Sequence, residues 1–277
     1  MNLSSLSPTL KLNNGVEMPI LGLGVFKSQE GEEAYNAVRY AIEAGYRHID
    51  TAAIYGNEVS VGKAIKDSGV KREDIFITTK LWNENMRQGN QYQAFEESLK
   101  RLGVDYVDLY LIHWPVKEKY VEAWEVLEKI YEEGRARAIG VSNFHIHHLE
   151  DIFVASDIIP AVNQVECHPW LTQVELVDYC QKKGIIFEPW SPLGQGALLE
   201  NEVLKSIAQK YNKSAAQLII KWGLQRGFVN IPKSVKQERI IENSKIFDFT
   251  VTDEDMAEIF KLNLDKRVGG NPEHVTW

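Results

Sequence analysis

Cysteine is scarce: Cys167 and Cys180 are the only two in 277 residues, too few for the disulfide framework of a small secreted domain. Long apolar runs are missing as well. No stretch approaches the ~18 residues that suggest a membrane span, and no segment has the pattern of a signal peptide. Cationic excess is absent too: 31 Lys and Arg face 39 Asp and Glu, a net charge of −8. That is the wrong sign for holding nucleic acid or an anionic membrane by general attraction, so neither is an expected partner and any anion site must be local. With no Pro/Ser-rich linker, low-complexity tract or long charge block, nothing divides the chain. A single domain over residues 1–277 in a reducing cytoplasm is expected.

What is present is a globular balance, 44% hydrophobic and 25% charged residues, which argues against disorder. Apolar runs recur at 20–26, 47–52, 74–81, 107–114, 137–144, 160–166, 184–190 and 228–234. They are rich in Ile, Val and Leu without strict alternation, as parallel strands buried on both faces should be. Between them lie helical patterns. Ala34, Ala37, Val38, Ala41 and Ile42 fall at helical spacing before Gly45, and Val121, Trp124, Leu127, Ile130 and Tyr131 do so before Gly134. Eight strand–helix units at roughly 30-residue intervals predict an α/β fold, a closed (β/α)8 barrel, with a doubly wound open sheet as the alternative. The long interval after residue 190 predicts two extra helical segments, near 201–210 and 214–226. Asn13-Asn14-Gly15 predicts a small hairpin over 8–20 that plugs the barrel floor.

Several motifs fail on inspection. After Gly22 and Gly24 a dinucleotide fingerprint needs a glycine where Lys27 stands. The stretch from Gly56 to Gly62-Lys63 is one residue too long for a phosphate loop, and Ala64 replaces the required hydroxyl. His145, His147 and His148 lack the convergent third ligand type of a zinc site and read as a solvated helix face, so no metal is expected. Cys167 and His168 adjoin only in one dimension, since strand neighbours point to opposite faces.

Polar residues at the ends of apolar runs are the informative feature. Asp50 closes the second run, with Tyr55 five residues on; Lys80 closes the third and His113 the fourth. In a parallel barrel all strand C-termini share one rim, so these four should meet. A buried Lys and a buried Asp also require each other. Together the four suit proton donation to a forming alkoxide. An ammonium beside Tyr55 favours phenolate, Asp50 keeps Lys80 charged, and His113 donates a hydrogen bond to the carbonyl oxygen. Such a site supplies no electrons, so it needs a hydride source, usually nicotinamide. Lys233, Ser234 and Arg239, at an Ile-Pro turn opening a helix, form a local phosphate site on independent grounds.

At these residues the sequence resembles the aldo-keto reductase superfamily. GYRHIDTAAIYGNEVSVG at 45–62, RAIGVSNF at 137–144 and IPKSVKQERIIEN at 231–243 are similar to its three signatures, in family order. LGLGVF, TTKLW, LIHWP, NQVECHP and EPWSPL fill the intervals. The resemblance implies a (β/α)8 barrel, NADPH-dependent reduction of aldehydes and ketones, and a catalytic tetrad at Asp50, Tyr55, Lys80 and His113. It further implies that Ser142, Asn143 and Gln164 hold the nicotinamide carboxamide and that the ring stacks on Trp190, where relatives commonly have Tyr. Gly24, Val25 and Phe26 would border the cofactor. Ser191, Leu193 and Gln195 would follow the pyrophosphate. Lys233, Ser234, Val235 and Arg239 would clamp the 2′-phosphate, with Glu242 and Asn243 at the adenine. NADPH is therefore expected over NADH.

Phe26, Trp82, His113 and Trp114, with Trp277 as a further candidate, would line the pocket for a small carbonyl substrate. A helix starting near Tyr120 leaves only a short loop after Pro115. That pattern resembles the bacterial branch of glyoxal, methylglyoxal and diketogluconate reductases. A monomer is expected. The alternatives are a cofactor-occupied regulatory protein of the same fold without turnover, and a barrel hydrolase or isomerase using Asp50 and His113 without nucleotide.

Overall fold

In the computed structural model, which describes residues 8–277, the chain opens with two short strands, β1 (Thr9–Lys11) and β2 (Glu17–Pro19), paired antiparallel. The Asn13 and Asn14 amides of their turn donate to the carbonyls of Pro160 and Arg137. These carbonyls lie at the starts of later strands, so the hairpin closes the lower end of the barrel.

Seven strands follow: β3 (Leu23–Gly24), β4 (His48–Asp50), β5 (Phe76–Leu81), β6 (Val107–Ile112), β7 (Ala136–Ser142), β8 (Val162–Glu166) and β9 (Ile186–Trp190). They are parallel and ordered as in the chain, each pairing with the next. Helices alternate with them, among them Glu32–Glu43, Glu58–Asp67, Gln91–Leu102, Tyr120–Glu132, Ile146–Ala155 and Val174–Lys182. The two extra helical segments are Glu202–Lys210 and Ala215–Gln225. Among the described residues no helix is long and apolar enough to cross a membrane.

The eighth apolar run is not a regular strand. Residues 228–234 complete the circle through single bridges, Leu21 with Asn230 and Gly24 with Lys233, and through Val229 N–H donating to Phe187 O at 3.2 Å. Pro232 lacks the N–H that a continuous ladder would use. A further reason is the closeness of the backbones: a Cβ on Gly24 would lie 2.8 Å from the carbonyl oxygen of Ile231.

Helix faces follow the periodicity. Ala34, Ala37, Val38, Ala41 and Ile42 are all buried, and Gly45 leaves that helix at φ 97°, a conformation that suits glycine. Strand residues divide by alternation. On β6, Tyr110 and Ile112 join the large core between barrel and helices, while Leu109 and Leu111 join a smaller cluster with Leu12, Met18, Phe76 and Val162. That smaller cluster makes the lower barrel interior apolar. Higher up, the same alternation turns His48, Asp50, Thr78, Lys80, His113, Gln164 and Glu188 inward, all of them buried.

Candidate active site

Asp50, Lys80 and His113 come from the upper ends of β4, β5 and β6, and Tyr55 from the short helical turn Ala53–Tyr55 that follows β4. Gly56 ends that turn at φ 68°. The Lys80 ammonium has no solvent exposure and lies 2.8 and 2.9 Å from the two Asp50 oxygens. It also donates to the Thr51 carbonyl at 2.8 Å and stands 3.4 Å from the Tyr55 hydroxyl. Burial alone would press the Lys80 pKa down, but its acidic neighbours, Asp50 first, outweigh it, and it lies above the ordinary lysine value. The lysine is held as a cation.

The phenol differs from the simple expectation. Burial raises the Tyr55 pKa more than Lys80 lowers it, so the net shift is upward. At neutral pH the hydroxyl keeps its proton while the ammonium waits beside it. Burial and then Lys80 push His113 well below the ordinary imidazole value, so the ring is neutral and has one N–H to give. It packs edge-on to Tyr55 and Trp82, with ring centroids 5.7 and 5.2 Å away.

Tyr55, His113 and Asp50 open onto a cleft of about 900 Å³ that also reaches Lys233, Ser234, Val235, Arg239, Glu242 and Asn243. Gly24, Phe26, Ser142, Asn143, Gln164, Trp190, Ser191, Leu193 and Gln195 line the same cleft. Val25 does not. Its side chain is fully buried in the outer core, because a residue next to cleft-facing Gly24 on a strand points the opposite way.

Asn143, at φ 65°, donates through its amide to His113 O at 2.9 Å and Ser142 Oγ at 3.1 Å. Its oxygen accepts from the Trp190 indole N–H at 2.8 Å. Trp at this position thus adds a donor as well as removing a hydroxyl, and it ties the aromatic face to the asparagine. Ser142 Oγ donates to the Gln164 carbonyl at 2.7 Å. Gln164 turns its amide nitrogen into the barrel, 2.8 Å from Asp50 Oδ2 and 2.7 Å from Glu188 Oε2.

The far end of the cleft is cationic. Lys233, Lys236 and Arg239 are exposed there, and none of the three has a carboxylate partner among the described residues. They surround the start of helix Gln237–Ser244, whose free N–H groups add to the attraction for an anion. A nucleotide phosphate fits this donor set. Lys236 escaped the sequence reading, although its place between Ser234 and Arg239 could have suggested it. Across the middle of the cleft, Lys27 Nζ donates to Gln195 Oε1 at 3.3 Å, and Gln195 Nε2 donates to Val268 O at 3.2 Å.

Near the tetrad the walls are aromatic. Phe26 lies 5.0 Å from Tyr55, and Trp114 packs edge-on to Trp277 at 5.3 Å. The Trp277 carbonyl accepts from Asn83 at 3.1 Å and Arg87 at 2.8 Å, placing the chain's last residue over the pocket. Ile54 also faces it.

The histidine group is not simply a solvated face: His148 is buried and His145 half-buried. Both cap helix Ile146–Ala155, and with Glu273 they bring possible ligand atoms within 4.8 Å of one another. Their ring nitrogens are largely engaged. His145 bonds Glu273 through Nδ1 and Arg267 through Nε2 at 3.1 Å, while His148 Nδ1 accepts from the His145 N–H at 3.1 Å. The arrangement fastens the C-terminal segment to the rim. Cys167 and Cys180 are buried and unpaired, and burial pushes both thiols up to about 12.

Comparison with known proteins agrees with this geometry. The description "Aldo/keto reductase family" matches residues 20–264. A glyoxal reductase of Bacillus subtilis is 59% identical over 272 residues, covering 98% of this chain and 99% of that one. A methylglyoxal reductase of Yersinia pestis is 48% identical, covering 97% and 98%. Among solved structures, an aldo-keto reductase from a Medee basin deep-sea metagenome library superimposes with a TM-score of 0.94 at 47% identity, covering 97% of this chain and all of that one. A Bombyx mori aldo-keto reductase in complex with NADP gives 0.90 at 39% identity, covering 96% of each chain. The chain belongs to the aldo/keto reductase family.

Proposed function

We propose that this protein is an NADPH-dependent reductase of aldehydes and ketones, with Tyr55 as the proton donor and small reactive aldehydes or α-dicarbonyls as substrates. One observation carries the reading. A phenol, an ammonium, a carboxylate and a neutral imidazole converge at one end of a cleft whose other end holds three cations without carboxylate partners among the described residues. The bound cofactor would supply the hydride equivalent that the side chains cannot. Ser142, Asn143 and Gln164 would hold its carboxamide, Trp190 its ring face, and Lys233, Ser234 and Arg239 its 2′-phosphate.

A carbonyl oxygen placed between the Tyr55 hydroxyl and the His113 N–H has two donors aimed at the charge that develops on it. Tyr55 gives its proton to the forming alkoxide, and the phenolate left behind faces the Lys80 ammonium at 3.4 Å. Asp50 keeps that ammonium charged and fixed. Similarity to proteins named glyoxal and methylglyoxal reductase supports the substrate class, as does the short connection between β6 and the helix that starts at Tyr120, which leaves the aromatic pocket open.

Substituting Tyr55→Phe tests the reading. Methylglyoxal reduction should fall by about 10²- to 10⁴-fold, the range general acid catalysis supplies, while NADPH still quenches tryptophan fluorescence with nearly wild-type affinity. Full turnover in the variant would overturn the role of Tyr55. Tight NADPH binding by the wild type without turnover of any carbonyl would favour a regulatory protein instead.

A further inference from the structure

Glu188, on β9 below the tetrad, belongs to none of the roles described above, yet it is completely buried. Its Oε2 accepts from Gln164 Nε2 at 2.7 Å, and the same nitrogen donates to Asp50 Oδ2 at 2.8 Å. Glu188 Oε1 has no hydrogen-bond partner among the described residues, and its nearest basic atom is His48 Nε2 at 3.8 Å. An acid buried beside another carboxylate, without a cation of its own, is costly to keep, and its structural product is the orientation of Gln164.

A primary amide has two N–H bonds and one carbonyl oxygen. In Gln164 both N–H bonds are taken from below by two acceptors, Asp50 and Glu188. Only the carbonyl oxygen remains for whatever occupies the cleft that Gln164 borders. Asp50 alone would hold one N–H and leave the other free to turn upward. We propose that Glu188 is a positioning residue of the cofactor site, locking the Gln164 amide so that it presents an acceptor, and no donor, to the nicotinamide carboxamide. This rests on the function proposed above.

The surroundings favour such a lock. Burial, followed by the nearby Asp50, pushes the Glu188 pKa up to about 8, and burial presses His48 down to about 3. Both shifts favour the uncharged forms, a protonated acid and a neutral imidazole. Because Oε2 already accepts from Gln164, the proton belongs on Oε1, the side facing His48. Glu188 can then anchor the amide without placing a second negative charge beside Asp50 and Lys80.

The discriminating probe is the 3-acetylpyridine analogue of NADP+, in which a methyl group replaces the carboxamide NH2 and so removes the donor Gln164 would accept. Dissociation constants for NADP+ and this analogue would be measured near pH 7 by tryptophan fluorescence in wild type, Glu188→Gln and Glu188→Met. The wild type should prefer NADP+ by about three- to tenfold, the worth of one net hydrogen bond. Glu188→Gln, which keeps an acceptor oxygen, should retain that preference. Glu188→Met should lose most of it while still binding both nucleotides, because the freed amide can offer an N–H to the analogue's carbonyl. Equal affinities in the wild type, full preference in Glu188→Met, or loss in Glu188→Gln as large as in Glu188→Met would overturn the role of Glu188. Should Glu188→Met not fold, Glu188→Ala, which also removes the acceptor for Gln164 Nε2, takes its place: loss of the preference is expected, and full preference would overturn the role. Failure of either nucleotide to quench the wild type would instead overturn the cofactor reading itself.

Discussion

Burial and then Asp50 push the Glu188 pKa up from the ordinary glutamate value of 4.5 to about 8, so the carboxyl binds its proton more tightly when folded. The stability it contributes is present in full below the ordinary glutamate range and is lost as pH rises toward 8. Asp50 and His48 on β4, Lys80 on β5 and Gln164 on β8 face this carboxyl, and Glu188→Gln leaves all of them in place while removing the titration. Urea unfolding between pH 5 and 9 should therefore show wild type losing stability relative to Glu188→Gln by on the order of 1 kcal/mol per pH unit, levelling above about pH 8. A pH-independent difference would mean that Glu188 does not titrate in that window. Arg239 acts at the other end of the cleft. Arg239→Ala should weaken NADPH by about 10- to 100-fold, the worth of a charge-assisted hydrogen bond, and leave NADH nearly unchanged. An equal loss for both nucleotides would remove the 2′-phosphate from its role.

Among the elements, helix Glu58–Asp67 owes its place to Gly62. A Cβ there would fall 1.9 Å from the carbonyl oxygen of Leu102 at the end of helix Gln91–Leu102. That atom is backbone and cannot rotate aside, so Gly62→Ala must push the two helices apart, and a loss of about 1–3 kcal/mol in unfolding free energy, read as a lower urea midpoint, is expected. An unchanged midpoint would show that the helices part freely. The same glycine had invited comparison with a phosphate loop; its reason is packing. Strand positions were legible because burial on both faces leaves continuous apolar runs, and seven of the eight runs became strands. The eighth, 228–234, has the same composition, but Pro232 and the close approach of Gly24 allow only isolated bridges. Composition reports burial, whereas ladder continuity depends on which N–H groups exist and how near the neighbouring backbone stands.

For the molecule as a whole, the C-terminal segment ties distant elements together. Buried Glu166, at the end of β8, accepts from the backbone N–H groups of Val268 and Gly269, and His145 holds Glu273. Trp277 is thereby carried to Trp114 and to the Asn83 and Arg87 side chains. Glu166→Gln should speed amide hydrogen exchange at residues 268 and 269 by about fivefold, at the roughly 1 kcal/mol per hydrogen bond lost, while Ile77 and Leu111 inside the barrel stay slow. Unchanged exchange at 268 and 269 would assign the fastening to the remaining contacts, among them His145 with Glu273 and Trp277 with Trp114, Asn83 and Arg87.

The sequence by itself determined the strand and helix pattern, the order of the elements and the identity of the four polar groups at strand ends. Those properties are local: hydrophobic period, turn chemistry and residue type need no knowledge of distant neighbours. Only the tertiary structure decided that burial outweighs Lys80 in setting the Tyr55 proton, that Val25 faces away from the cleft, and that Trp190 bonds Asn143. It also decided that Glu188, two residues before Trp190 and on the same face of β9, reaches Gln164. Each of these depends on the barrel's closure and register, which bring residues 24 to 47 positions apart within hydrogen-bonding distance in an interior from which water is excluded.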